Sequence, residues 1–337
     1  MKDIIQKISV LLFVTVISTS AWAGLKEGKL AYKQNDYAAA YQELEPVALQ
    51  GDAEAQFYLG AMYNNGQGVL YNYVKAREWY QKSADQGNAE AQRALGFRYL
   101  YGMGVPKDAA KAIEWLQRAA AQGELISQYE LGKIYEKGEG TPKDPVKSFA
   151  WYQKAVANYR KTAAKGDAHS QKMLSQMYKD GRGVPKDTNK SNEWLQKAVA
   201  QLRKDAELGS AYAQDELGDM YHYGHGVPKD SAKAAEWYEK AALQGHDFAS
   251  YNLGNLYDWG DGVPKDEVKA AKWWRKSAEQ GNFFSQYSLG RAFEYGRGVP
   301  MDIVKAVEWY EKAATGGYDA AQTKFCELRP QHALCKK

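Results

Sequence analysis

Cysteine is nearly absent: the chain of 337 residues carries two, Cys326 and Cys335. A disulfide framework and a thiolate metal cage are thereby excluded as the basis of the fold. Histidine is scarce as well, with five residues, and only His222 and His225 stand close together. No third ligand at a recognisable spacing joins them, so no metal site is expected. No block of like charge occurs and the formal net charge is +4. That balance argues against nucleic acid as a partner, which calls for a concentrated basic face. Phosphate-cradling glycine loops and nucleophile signatures are missing too. No cofactor and no catalytic residue is therefore expected, and the chain is read as a non-enzyme.

Long apolar runs are also missing, with one short exception at the start. Lys2 and Lys7 flank the beginning, Ile8 to Ile17 is apolar save for Ser9 and Thr15, and Ala21-Trp22-Ala23 follows. A basic start, a brief apolar core and a small-residue ending describe a secretory signal peptide over residues 1–23. Cleavage is expected after Ala23. The run is too short for a transmembrane helix, and no cysteine follows it for lipid attachment. The mature chain is expected to be soluble, without membrane insertion, and located in the periplasm or secreted. In such an oxidising compartment Cys326 and Cys335 are expected to pair, a small loop contributing on the order of 3 kcal/mol by chain entropy.

What the sequence has in abundance is repetition. GVPKDAAKAIEW begins at Gly104, GTPKDPVKSFAW at Gly140 and GVPKDTNKSNEW at Gly183. GVPKDSAKAAEW, GVPKDEVKAAKW and GVPMDIVKAVEW follow at Gly226, Gly262 and Gly298, and a worn copy, GVLYNYVKAREW, starts at Gly68. Seven units result: 53–88, 89–124, 125–167, 168–210, 211–246, 247–282 and 283–318. The third and fourth carry seven extra residues before their closing glycine. Seven residues are close to two helical turns, so the face is kept, and two helix ends are expected to protrude side by side.

Each unit reads as two helices. In the second unit, helix A is expected from Ala89 to Tyr101, then a Gly-x-Gly-Val-Pro loop, then helix B from an N-cap at Asp108 to about Ala121. Gly123 supplies a left-handed C-terminal residue. Asn72 replaces the capping aspartate in the worn unit, and asparagine caps equally well. Unit positions 3, 7 and 11 (Ala91, Leu95, Tyr99) share one face of helix A. Ala112, Trp115, Leu116, Ala119 and Ala120 form a stripe on helix B, with a tryptophan recurring in every unit from Trp79 to Trp309. One such pair cannot bury both stripes, but stacked pairs can. The recurring lysine of helix B, as at Lys111, Lys233 and Lys269, is read as covering apolar surface with its stem. The expected fold is all-α, a right-handed α-solenoid of stacked antiparallel helix pairs. Residues 24–52 read as a degenerate leading hairpin and 319–337 as a capping helix and tail.

Opposite the core, positions 2, 5, 9, 12 and 13 of helix A differ from unit to unit and are expected to line the concave face. In the last three units this face is aromatic: Tyr212 and Tyr223; Phe248, Tyr251 and Trp259; Phe284, Tyr287 and Tyr295. Aromatic clusters on one surface mark interface centres, so these eight are the candidate partner-binding residues. The competing expectation is that position 2 packs on the preceding helix B and position 13 under the next loop.

The phrase A-x-A-Q-x-x-L-G-x-x-Y-x-x-G-x-G-V-P-K-D-x-x-K-A-x-x-W-Y-x-K-A-A-x-Q-G resembles the Sel1-like repeat, a relative of the tetratricopeptide repeat. The resemblance covers about Ala53 to Tyr318 and implies a protein-binding solenoid, expected to be monomeric. Exported members include periplasmic immunity proteins that bind and block antibacterial lipase effectors of type VI secretion, and the resemblance implies that role first. It also admits a host-interaction factor binding a protein such as immunoglobulin, or an envelope scaffold. Cysteine-rich relatives linked to penicillin binding carry a disulfide in nearly every repeat, a pattern this chain lacks.

Overall fold

A computed structural model describes residues 23–34, 36–70 and 72–335. Apart from Ala23, the proposed signal peptide lies outside the described residues. The fold is all-α. It divides into two units, one up to Trp151 and one from Tyr152 onward.

The first unit opens with α1 (residues 23–33) and α2 (Tyr37–Leu49), the leading hairpin. Then come α3 (Ala53–Asn65), α4 (Tyr73–Asp85), α5 (Ala89–Tyr101), α6 (Ala109–Ala121) and α7 (Leu125–Lys137). Helix α8 (Pro145–Ala163) contains the boundary between the units. The second unit continues with α9 (Ala168–Asp180), α10 (Thr188–Glu207), α11 (Ala211–Tyr223), α12 (Ser231–Leu243) and α13 (Asp247–Trp259). It ends with α14 (Glu267–Glu279), α15 (Phe283–Tyr295), α16 (Ile303–Thr315) and α17 (Asp319–Leu328). From α3 onward the odd-numbered helices up to α15 are the A-helices of the repeats and the even-numbered ones are the B-helices. Among the described residues no helix is long and apolar enough to cross a membrane.

The helix ends follow from the signals in the sequence. Asp108 Oδ1 accepts from the Lys111 amide at 3.0 Å, and Asn72 Oδ1 accepts from the Lys75 amide at 2.9 Å. These side chains satisfy amides that have no partner within the helix. Gly102 closes α5 at φ +75, a left-handed conformation that costs glycine nothing.

Core positions 3 and 7 are buried as expected, for example Ala91 and Leu95. Position 11 is mixed: Tyr63, Tyr135, Tyr178 and Phe293 are buried, while Tyr99, Tyr221 and Tyr257 stay half-buried. Position 10 is the deep partner: Met62, Arg98, Ile134, Met177, Met220, Leu256 and Ala292 are all covered. The lysine of helix B does more than lay its stem on apolar surface. Its ammonium sits over the position-11 ring, as Lys111 does at 5.4 Å from Tyr99 and Lys269 at 5.1 Å from Tyr257.

The recurring tryptophan is half-buried in every unit save at Trp115, because its ring lies at the margin of the core. A basic side chain three residues on closes it over, as Lys240 does 4.0 Å from Trp237. The next residue goes deep instead. Tyr80, Tyr238, Trp274 and Tyr310 press on the position-8 glycines, where a Cβ at Gly218 would lie 2.6 Å from the Tyr238 ring.

Position 4 is polar and buried. Gln92, Gln128 and Gln171 donate through Nε2 to the carbonyls of Ala84, Ala120 and Ala163 in the preceding B-helix, at 3.1, 3.0 and 3.1 Å. The buried amide is thereby paired, which burial requires.

The long helices do not protrude. Tyr159 and Ala163 in α8, and Leu202 and Ala206 in α10, are buried. Thr162 meets Ser170 of α9, and a side chain at Gly166 would meet Gln201 of α10. The extra turns are covered because the following A-helix docks on the end of the long helix. Gln214 donates to the Ala206 carbonyl at 3.0 Å, while the start of α10 stays tied to α9 through Ser191 and Ser175 at 3.1 Å. Seven added residues thus set α11 about 10 Å further along α10 than a regular repeat would.

Cys326 and Cys335 form a disulfide that joins α17 to the short turn Ala333–Cys335. Beneath it Phe325 is buried and belongs to the core of the last repeat.

Candidate functional site: an aromatic and acidic helix face

In the second unit, positions 2, 5, 6, 9, 12 and 13 of α11, α13 and α15 lie on one helical side at 100° per residue. None of the eight predicted residues is fully buried. Five are exposed: Tyr212, Tyr223, Phe248, Trp259 and Tyr295. The other three, Tyr251, Phe284 and Tyr287, are half-buried.

The eight do not make one patch. Positions 2 and 13 are eleven residues apart, so two rows run about 16 Å from each other along the helices. At the helix starts, Tyr251 and Phe284 are in ring contact at 5.7 Å. Tyr318, which caps α17, lies 5.3 Å from Phe284 and 5.2 Å from Tyr287. The sequence reading missed Tyr318 because it is the closing residue of the seventh repeat, outside the A-helix positions that were projected. Its only signal is a place equivalent to the residue before each A-helix.

At the helix ends, Tyr223, Trp259 and Tyr295 are 62, 65 and 53% exposed. Tyr223 packs against His222 at 4.5 Å and His225 at 5.8 Å. His222 Nδ1 faces Asp261 at 3.6 Å. Among the described residues no group of three histidines, cysteines or carboxylates is placed to hold a metal ion.

Between the rows the floor is polar, and in α11 it is acidic. Tyr212 donates to Glu216 at 3.1 Å, and Glu216 also pairs with Lys172 of α9. Tyr238 donates to Asp219 Oδ1 at 2.5 Å. Asp215 is buried, and desolvation followed by the charges of Asp219 and Glu216 pushes its carboxyl up to about 7. His246 Nδ1 stands 3.8 Å from Asp215. Burial drives the imidazole downward as it drives the carboxyl upward, so it works against an ion pair at this contact. Asp258 pairs with Arg297, which also reaches Glu267 at 3.6 Å. The A-helix carboxylates Asp215, Glu216, Asp219 and Asp258 were visible in the sequence at positions 5, 6, 9 and 12, but the aromatic pattern drew the reading past them.

Geometry of this kind suits the recognition of a surface. Tandem helix pairs with a constant inner row and a varied outer row are what a binding scaffold requires. The Sel1 repeat profile matches residues 53–88, 89–124, 125–159, 168–201, 211–246, 248–282 and 284–318. The chain belongs to the Sel1 repeat family. It is a Sel1-repeat solenoid of the protein-binding class.

Among solved structures, this Sel1-repeat protein is similar to a protective antigen of uropathogenic Escherichia coli strains that displays an SLR fold. Identity is 31%, coverage 94% of this chain and 81% of the other, and the TM-score 0.41. It is similar to a Sel1 repeat protein from Oxalobacter formigenes, with 31% identity, 96% and 90% coverage and a TM-score of 0.43. An immunity protein from Pseudomonas aeruginosa shares 22% identity over 72% of this chain and 83% of its own, with a TM-score of 0.42. No curated protein matches the chain.

Proposed function

We propose that this Sel1-repeat protein is an exported, non-catalytic binder that grips a protein partner with the A-helix face of α11, α13 and α15. One observation carries the reading. Tyr223, Trp259 and Tyr295 stand in a row and are more than half exposed, while the recurring tryptophans of the B-helices are covered by the basic side chain that follows. Large rings left in water on one face are typical of an interface centre.

The finer reading is a periplasmic immunity protein that blocks an antibacterial lipase effector of type VI secretion. Its support is the signal-like segment over residues 1–23 and family membership. Inhibition would be steric, the effector's active site being covered by the bound scaffold.

The test is protection. A phospholipase encoded beside this gene is directed to the periplasm of a sensitive host, with this protein co-expressed with or without residues 1–23. Survival is expected only when the segment is present. Equal killing in both cases would refute the immunity role, and co-purification of the resident envelope proteins alone would point to a scaffold instead.

A further inference from the structure

A cleft of about 550 Å³ lies where α9 and α11 begin, next to the end of α10. Asp167, His169, Leu202, Asp205, Leu208 and Tyr212 contribute side chains to its wall, and the lining contains no lysine or arginine. Asp167 caps α9 by accepting from the Ser170 amide at 2.8 Å, and Asp205 accepts from Gln201 Nε2 at 2.9 Å. A carboxylate offers about four acceptor positions, so each retains capacity after these bonds. Tyr212 and Leu208 present exposed apolar surface beside them.

Helix termini could reverse this polarity, so their sum matters. Two helix starts, those of α9 and α11, bring about half a positive charge each. Two helix ends, those of α8 at Gly166 and α10 at Gly209, bring about half a negative charge each. The four cancel, and the two full carboxylate charges decide the sign. The cleft favours a cation.

Its counterpart in the first unit, about 560 Å³, lies where α3 and α5 begin and is lined by Asp52, Glu54, Phe57, Tyr58 and Glu90. One of its carboxylates, Glu54, is ion-paired with Lys29 of α1, which lies outside that lining. That contact holds the Lys29 ammonium above its ordinary value, the hydrogen bond to Glu54 being the main cause.

We propose that the cleft between the starts of α9 and α11 is a socket for an arginine side chain presented by the protein partner. The guanidinium bridges Asp167 and Asp205 and stacks on Tyr212, and the aliphatic stem lies along Leu208. A planar donor fork suits two spaced carboxylates and a ring better than a lysine ammonium does. The inference rests on the protein-binding reading above, but it is tested without the partner.

The full chain is titrated with acetyl-Gly-Arg-Gly-amide, with its citrulline isostere and with acetyl-Gly-Glu-Gly-amide, following backbone amide shifts by NMR. The arginine peptide is expected to shift amides around Leu208, Ser210 and Tyr212 saturably, with an affinity in the millimolar range. The citrulline peptide is expected to bind at least about tenfold more weakly. Asp167→Asn keeps the helix cap while removing the charge, and Asp205→Asn keeps an acceptor for Gln201. Each is expected to weaken arginine binding several-fold with an unchanged melting curve. Equal response to arginine and citrulline, preference for the glutamate peptide, absence of binding, or indifference to both aspartate substitutions would overturn the socket. If the socket fails while wild-type protein still captures a partner that the Tyr223, Trp259 and Tyr295 variants lose, the broader reading stands alone. If arginine binds but no partner is captured, the broader reading fails.

Discussion

The two sides of the A-helices follow different rules. On the inner side, positions 3, 7 and 10 hold small or apolar residues in nearly every repeat and are buried throughout. On the outer side, position 5 reads Lys172, Asp215, Tyr251 and Tyr287 along α9, α11, α13 and α15. The inner side answers to packing, where every cavity costs free energy. The outer side is less bound by that constraint, with Tyr223, Trp259 and Tyr295 left exposed, and can be fitted to a partner. Arg98 is the exception on the inner side. It is buried at position 10 between the Tyr73 and Tyr80 rings, 5.3 and 5.1 Å away, and donates to Asn64 at 2.6 Å. A buried guanidinium is tolerated there because rings and an acceptor replace water.

The contrast can be broken most forcefully from the inner side. Leu217 is wholly buried, so Leu217→Ala is expected to cost about 2–5 kcal/mol in chemical unfolding. A loss below about 1 kcal/mol would mean that the inner row is not packed as described.

Asp215 sits at the border of the two sides and makes stability depend on pH. Its carboxyl is raised from 3.8 to about 7, so the folded state holds a proton that the unfolded chain has released. Stability is therefore expected to be full below about pH 4 for this group and to fall as pH rises through 7, by about 2–4 kcal/mol. Asp215→Asn, which can keep the contact with Asn252, should flatten that slope and stabilise the protein at pH 8. An unchanged slope in melts between pH 4 and 8 would contradict the burial.

Smaller still is the effect at a helix start. Asp187 accepts from the Lys190 amide at 2.9 Å. Asp187→Ala is expected to cost about 1 kcal/mol and Asp187→Asn only a few tenths, as the worn repeat with Asn72 implies. Equal losses would show that charge, not the cap, matters.

Much of this was legible in the sequence, for specific reasons. Gly102, Asp108 and Gly123 punctuate the chain by backbone conformation and capping, effects that need no tertiary context. Hence the helix bounds read from the second repeat, Ala89–Tyr101 and the end at Ala121, coincide with those in the structure. The burial of Gln92 was not legible, because its acceptor, the Ala84 carbonyl, belongs to another helix. The long helices were read as protruding because length alone does not say where the next helix docks. Gln214 reaching Ala206 supplies that information. In the candidate site, the variable face came from projection, but its division into two aromatic rows with an acidic floor came only from the folded chain.

The central claim is that the outer face binds a protein and the inner face holds the fold. It is tested most directly by affinity capture from envelope and effector-containing extracts. Wild type is compared with the triple variant Tyr223→Ala, Trp259→Ala, Tyr295→Ala, whose stability is measured in parallel. Stability is expected to change by less than about 0.5 kcal/mol per site, as for exposed positions, while the captured partner is lost. Recovery of the same partner at the same level by both proteins would contradict the account.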